Sequence, residues 1–216
     1  MAPKVVLLDL GGVLFRDPWE AILLTPERGL ADQLGLDREA VARVGRELWP
    51  EYSQRPSNEA DYWTAFASKL GVSLPEGLIA RSEAELLTPN PFAFDILERA
   101  RRQIGRIGVV SENTSFWYPI QARLLSLEQY VDQELVFLSF ELQLNKDGLL
   151  NVATSRVNPA LTLVVEDRPH NVEFARRHGF QVFRYESDDA DRSFASLMRV
   201  IGHTTAMEDV ARHSDR

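Results

Sequence analysis

Five short, mainly apolar runs rich in Val, Leu or Ile punctuate the chain: Lys4 to Leu8, Arg106 to Val110, Leu135 to Leu138, Leu161 to Val165 and Phe180 to Phe183. None alternates with polar residues. Uninterrupted Val, Leu and Ile runs of this length are what strands need when both faces of a parallel sheet are covered. Helical patterns separate the later runs, over Pro91 to Arg102, Pro119 to Leu127, Val172 to His178 and Asp191 to Ile201. Strand and helix therefore alternate, which predicts an α/β protein with an open, Rossmann-like parallel sheet.

The interval from Phe15 to Pro89 breaks that alternation. It has no convincing strand and carries helical patterns at Pro26 to Leu34, Arg38 to Trp49, Ser57 to Leu70 and Pro75 to Leu87. Asp37 and Ser57 are placed to cap helices, with Asn58 and Glu59 in the turn that follows Ser57, and Gly71 is placed to end one. The pattern predicts a helical insert after the first strand. From Gly202 onward the chain is polar and mixed in charge, which predicts a frayed or weakly helical tail.

Composition narrows the function classes. With 44% hydrophobic and 26% charged residues the 216-residue chain is ordinary globular material. A net charge of -8 without a basic patch argues against a nucleic-acid partner. There is no Cys, so disulfides, thiolate metal sites and cysteine nucleophiles are excluded. The apolar start is interrupted at once by Asp9, too short for a secretion signal or a membrane span, and a cytoplasmic protein is expected. Lys occurs only at positions 4, 69 and 146, so any role that needs an ammonium has few candidates.

Ligands of open α/β sheets gather at the carboxyl ends of the strands. There the first run stops at Asp9, the second at Ser111 with Asn113 and Thr114, the third is followed by Lys146, and the fourth stops at Glu166 and Asp167. A carboxylate nucleophile, a hydroxyl, an ammonium and two further acids make a set suited to phosphoryl transfer. Hard oxygen ligands suit Mg²⁺, cations neutralise the phosphate so that an anionic nucleophile can approach, and an aspartate can form an acyl phosphate that water hydrolyses.

The segment Leu7-Leu8-Asp9-Leu10-Gly11-Gly12-Val13-Leu14 resembles the first motif of the haloacid dehalogenase superfamily, hhhDxDG[TV]. Val109 to Asn113 resembles the second motif, Ser139 to Lys146 the segment ending in the third-motif lysine, and Val164 to Asn171 the fourth in its Glu-Asp form. The resemblance implies an α/β core over 1–15 and 89–201, a helical cap over 16–88 and a polar tail over 202–216. It also implies a Mg²⁺-dependent phosphatase acting on a small phosphorylated metabolite. In it Asp9 is the nucleophile, Ser111, Asn113 and Lys146 bind the phosphoryl group, and Asp9, Gly11 (through its carbonyl), Glu166 and Asp167 hold the metal. No membrane partner is implied, and a homodimer is left open.

Two departures mark this chain. Asp147-Gly148 follows Lys146 where the family often has Pro, and Gly11 stands where the family has its acid/base aspartate. Loss of that group predicts slow turnover of alkyl phosphates, because general acid catalysis is worth about 10² to 10⁴ in rate. Sugar 1-phosphates, acyl phosphates and aryl phosphates should suffer least, and the Gly-containing motif resembles that of bacterial glucose-1-phosphate phosphatases. His170 reads either as a surface residue on a first helical turn or as a replacement acid/base, and Asn171 as a brace for the fourth-motif loop. Trp19, Trp49, Trp63, Trp117, Tyr52, Tyr62 and Tyr118 read mainly as packing residues, and Arg16 or Glu112 as contacts to the leaving group. The alternatives are a catalytically impaired binding or regulatory protein, and a metal-independent 2-haloacid dehalogenase.

Overall fold

A computed structural model describes the backbone of residues 2–214 and the side chains of residues 2–202. Five strands, β1 (Val5–Leu8), β2 (Ile107–Ser111), β3 (Val136–Leu138), β4 (Thr162–Glu166) and β5 (Gln181–Arg184), form one sheet in the order β3-β2-β1-β4-β5. Every neighbouring pair is parallel. Every residue of β1, β2 and β4 is buried, whereas edge strand β5 is half exposed. That is why the inner strands read as unbroken apolar runs.

The chain fills the sheet outward from β1 to β2 and β3, then returns to build β4 and β5 on the other side. The order therefore reverses beside β1, between it and β4, where Leu8 pairs with Val165. The crevice of such a sheet opens at that reversal. Asp9 and the pair Glu166-Asp167 leave adjacent strands directly into it.

Between β1 and the rest of the sheet lie α1 (Pro18–Leu24), α2 (Leu30–Gln33), α3 (Arg38–Ser53), α4 (Glu59–Leu70) and α5 (Leu78–Leu86). These helices share a hydrophobic cluster that includes Trp19, Leu23, Val44, Tyr62, Trp63 and Phe66. One buried member, Trp117, comes from outside them, at the start of α7 (Trp117–Leu125). The sheet's faces are covered by separate clusters involving α6 (Ala93–Gln103), α9 (Lys146–Ala153), α10 (Pro169–Arg177) and α11 (Ala190–Ser214). Among the described residues no helix is long and apolar enough to cross a membrane.

Several elements differ from the pattern read in the sequence. The expected helix over Pro26 to Leu34 is instead α1, starting at Pro18 behind Asp17, and the single turn α2. Pro at the first helical position is a start signal that the apolar spacing alone does not reveal. Asp37 does cap α3, and Gly71 in the left-handed region (φ 66°) ends α4. Asn58, not Ser57, caps α4, its side chain accepting from Ala60 N. The Ser57 hydroxyl is drawn away to Tyr52 O, 2.8 Å distant. Helix α9 was not expected; Asn145 caps it by accepting from Gly148 N, so Lys146 opens a helix. Helix α11 runs beyond Ile201 to Ser214; the side chains from 203 on, where the polar tail was expected, lie outside the described residues.

Candidate active site

Lys146 is the hub of the site. Its side chain is 2% exposed, and its Nζ lies 2.7 Å from Asp9 Oδ2 and 2.9 Å from Glu166 Oε2 while donating to Val110 O at 2.8 Å. Three inner strands thus converge on one ammonium: β1 through Asp9, β4 through Glu166 and β2 through a carbonyl. The other Asp9 oxygen, Oδ1, accepts from Leu10 N at 2.7 Å. Glu166 Oε1 accepts from Asp167 N and Arg168 N, both at 3.0 Å, and so fixes the turn that leads into α10.

Carboxylate oxygens of Asp9, Glu166 and Asp167 come within 4.8 Å of one another. Asp9 and Glu166 share one lysine with Asp167 beside them, and the electrostatics follow. Burial lifts the Asp9 carboxyl well above the usual carboxylate range, the Glu166 charge adding to this against the pull of Lys146. Burial also lifts Asp167, with the Glu166 contact and charge and the Asp17 charge adding, to about 8. Glu166 goes the other way: burial opposes its charge, but Lys146 and its hydrogen bonds more than compensate, to about 2. For Lys146, burial disfavours the ammonium and the charges of Asp9 and Glu166 more than restore it.

Asp167 Oδ1 is buried with no hydrogen-bond partner. A crowded, partly unsatisfied set of hard oxygens, short of one cation, suits Mg²⁺. The Gly11 carbonyl stands two residues beyond Asp9 on the same loop, and Gly12 permits the close approach of Asp167. A Cβ on Gly12 would overlap the Asp167 carboxylate and lie 2.8 Å from its Cβ, and the backbone there has φ +70°.

Ser111 and Asn113 are placed differently from each other. Ser111 ends β2 fully buried, its hydroxyl making only a long 3.5 Å contact with Glu112 O. The Asn113 side chain is committed elsewhere: its Nδ2 donates to Gln121 Oε1 at 2.6 Å and its Oδ1 accepts from Thr114 N at 2.8 Å. It braces the loop after β2, so both polar atoms of the side chain expected to bind substrate are already bonded within the protein. Asn113 N donates to Ser139 Oγ, whose hydroxyl in turn donates to Ser53 O at 2.6 Å. Ser115 and Ser57 exchange two further bonds of 2.8 and 2.9 Å. The loop after β2 is thereby fastened to the turn between α3 and α4.

A cavity of about 650 Å³ opens beside Gly12 and Asp167, walled by Arg16, Asp17, Trp19 and Glu20 on one side and Arg168 and His170 on the other. Arg16 and Trp19 line this cavity and Glu112 does not. His170 is exposed at its rim. Asp17 and Arg168 escaped the motif-based reading. They form an ion pair across the cavity wall, and the signal that would have found them is an Asp-Pro helix start together with an arginine directly after the fourth-motif acids.

No family model matches this sequence, and no curated protein does. Solved structures do. A HAD-family enzyme from Bacteroides thetaiotaomicron superposes with a TM-score of 0.69 over 88% of this chain and 96% of its own, at 16% identity. A predicted HAD-like family hydrolase from Porphyromonas gingivalis gives 0.64 at 20% identity, covering 92% of this chain and 99% of that one. The L-2-haloacid dehalogenase from Xanthobacter autotrophicus gives 0.59 at 19%, covering 94% and 89%. The fold is that of the haloacid dehalogenase-like enzymes.

Proposed function

We propose that this protein is a Mg²⁺-dependent hydrolase that removes the phosphoryl group from a small phosphorylated metabolite through a phospho-aspartate at Asp9. The observation that carries this reading is the clustering of Asp9, Glu166 and Asp167 within 4.8 Å of one another, the first two paired to Lys146, at the reversal point of the sheet. Lys146 does not offset three ionised carboxylates at once, and two of the three are lifted above the usual carboxylate range. A divalent cation held by Asp9, Asp167 and the Gly11 carbonyl, with Glu166 supporting the turn, would compensate them. When bound, such an ion neutralises phosphoryl charge. The Bacteroides HAD-family enzyme has also been solved in complex with magnesium and inorganic phosphate, which supports the same assignment here.

The chain's own groups supply the rest. The Leu10 N–H bond to Oδ1 and the Lys146 bond to Oδ2 orient the Asp9 carboxylate and spread its charge. Asp9 attacks phosphorus, the ester bond breaks, and water later opens the acyl phosphate. The buried Ser111 hydroxyl and the Lys146 ammonium orient the phosphoryl oxygens. Helices α1 to α5 serve as a cap that excludes water from the reacting groups. Substrates whose leaving oxygen is less basic than a simple alkoxide, such as aryl phosphates and, to a smaller degree, sugar 1-phosphates, depend least on a proton donor and suit a first motif with Gly11.

A second reading has two observations in its favour. The lysine-to-nucleophile contact of 2.7 Å and the dehalogenase among the structural neighbours fit a metal-independent 2-haloacid dehalogenase. That chemistry gives Asp167 no task.

The deciding experiment is release of inorganic phosphate from aryl, sugar and alkyl phosphates with Mg²⁺ and with EDTA, beside Asp9→Asn. The phosphatase reading expects metal-dependent release that the substitution abolishes. Chloride release from 2-chloropropionate in EDTA, with no phosphate release, would replace it with the dehalogenase.

A further inference from the structure

Cleaving an alkyl phosphate leaves an alkoxide that needs a proton, and hydrolysing an acyl phosphate needs a group to take one from water. Neither Gly11 nor the Lys146-bound carboxylates supply this group. Asp17 occupies the place where it would be. A Cβ built on Gly11 would overlap Asp17 Oδ1 and lie 3.1 Å from its Cγ. A side chain at position 11 and the Asp17 carboxylate therefore claim the same volume.

Three further observations show that this placement is held. The loop after β1 curls back on itself, with Leu14 N and Phe15 N both donating to Leu10 O and Phe15 bridging to Gly11, so the chain returns Asp17 to Gly11. Asp17 stands at the N-cap of α1, where an aspartate ordinarily accepts from the helix's own N–H groups, yet its side chain makes no such bond. Instead Oδ2 pairs with Arg168 Nη2, which leaves Oδ1 facing the space over Gly11. The side chain is 13% exposed and lines the cavity that reaches Asp167.

We propose that Asp17 is the catalytic acid and base of this site, supplied from the start of α1 in place of a side chain at residue 11; this rests on the phosphatase reading above. In the first step the ester P–O bond breaks, phosphorus bonds to an Asp9 oxygen, and the leaving oxygen takes a proton that Asp17 relays from solvent. In the second, the oxygen of water bonds to phosphorus, the bond to Asp9 breaks, and Asp17 relays the proton of water back to solvent. Phosphate and alcohol are the only net products. Arg168 is a positioning residue, fixing which Asp17 oxygen faces the substrate.

The test compares wild type, Asp17→Asn, Asp17→Ala and the double variant Gly11→Asp/Asp17→Ala, all with Mg²⁺, on an alkyl phosphate and an aryl phosphate. Asp17→Asn should lose about 10²-fold or more on the alkyl phosphate. With the aryl phosphate, whose leaving group needs no proton, it should release a burst of phenol stoichiometric with enzyme and then stall at the phospho-enzyme. The double variant moves the carboxylate to the other backbone position without the clash that Gly11→Asp alone would bring, and should recover at least about tenfold over Asp17→Ala on the alkyl phosphate, a fraction of the general-acid contribution. Alkyl phosphatase activity of Asp17→Asn equal to wild type, or a double variant no better than Asp17→Ala, overturns the proposal and leaves the phosphatase reading standing. Absence of phosphate release by the wild type from both compounds overturns both.

Discussion

Replacing Lys146 by Met keeps the length of the side chain and removes its charge. Asp9 and Glu166, 9% and 1% exposed in their side chains, would then face each other without a cation, and Val110 O would lose its donor. Removing one partner of a buried ion pair costs about 3–5 kcal/mol, with the recovered apolar burial of Met offsetting part of the lost carbonyl bond. For a chain of this size each kcal/mol moves Tm by about 2–4 °C, so Lys146→Met should melt about 6–20 °C lower in EDTA near neutral pH. In wild type the Glu166 carboxyl is held at about 2, below its unfolded value, so its stabilisation is present above that unfolded value and lost as pH falls through about 2. In the variant Glu166 joins Asp9, which is already raised in the wild type, above its unfolded value, so stability is greatest in acid and falls as pH rises. The deficit should therefore shrink toward pH 5, as the model-peptide range for carboxyls near ~4 is approached, and should also shrink in saturating Mg²⁺. Thermal melts at several pH values with EDTA and with Mg²⁺ measure all three effects. A variant within about 2 °C of wild type at neutral pH in EDTA would correspond to under about 1 kcal/mol and would refute the assignment of Lys146 as the counter-charge of this cluster.

Three other outcomes follow from the same geometry. Gly12→Ala must place a Cβ where the Asp167 carboxylate lies, in a backbone conformation that costs an L-residue about 1–2 kcal/mol; Mg²⁺ affinity by calorimetry should fall about 10- to 100-fold, and unchanged affinity would show that Asp167 does not ligate. Because burial, Glu166 and Asp17 raise Asp167 to about 8, its charged form must be recovered for metal binding, so Mg²⁺ affinity should climb up to about tenfold per pH unit from pH ~6 and level off above about 8; a flat profile over that range would contradict it. Glu83 accepts from Trp117 Nε1 at 2.7 Å and is raised, mainly by burial, to about 7. The stability it contributes is fully present below its unfolded value and lost as pH rises through about 7. Glu83→Gln keeps an acceptor without charge, so its urea midpoint should exceed that of wild type by the equivalent of about 1–2 kcal/mol at pH ~8.5, after discounting for solvent screening, and by nothing near pH ~4.

The parts of this protein that were legible in its sequence are those with a periodic or chemically singular signal. β1, β2 and β4 are buried on both faces, so their apolar runs are unbroken, and Asp9, Ser111 and Glu166 are the polar residues at which those runs end. Lys146 was traceable because lysine is scarce in this chain. What escaped was decided by single capping bonds and by loops. Asn145 starts α9 and Asn58 takes the cap of α4 from Ser57 through one side-chain oxygen each, contacts that spacing does not encode. Asn113 sits where a phosphate contact would be drawn from motif position, yet an amide at Gln121, eight residues away, claims it. The meeting of Asp17 with Gly11 depends on how a tight loop closes, and only the folded chain reveals it.

Trp117 has a further consequence. Its indole stacks on Trp49, packs edge-on against Tyr62 and Trp63, and donates to Glu83, so side chains of α3, α4 and α5 all enclose a residue that belongs to the loop and helix after β2. Its backbone N donates to Thr114 Oγ1, three residues beyond Ser111. Helices α1 to α5 therefore have no complete interior of their own: to melt separately from the sheet they would have to leave this tryptophan's pocket empty. Heat should find one cooperative transition in this protein, with the fluorescence of the helices and the circular dichroism of the sheet lost together.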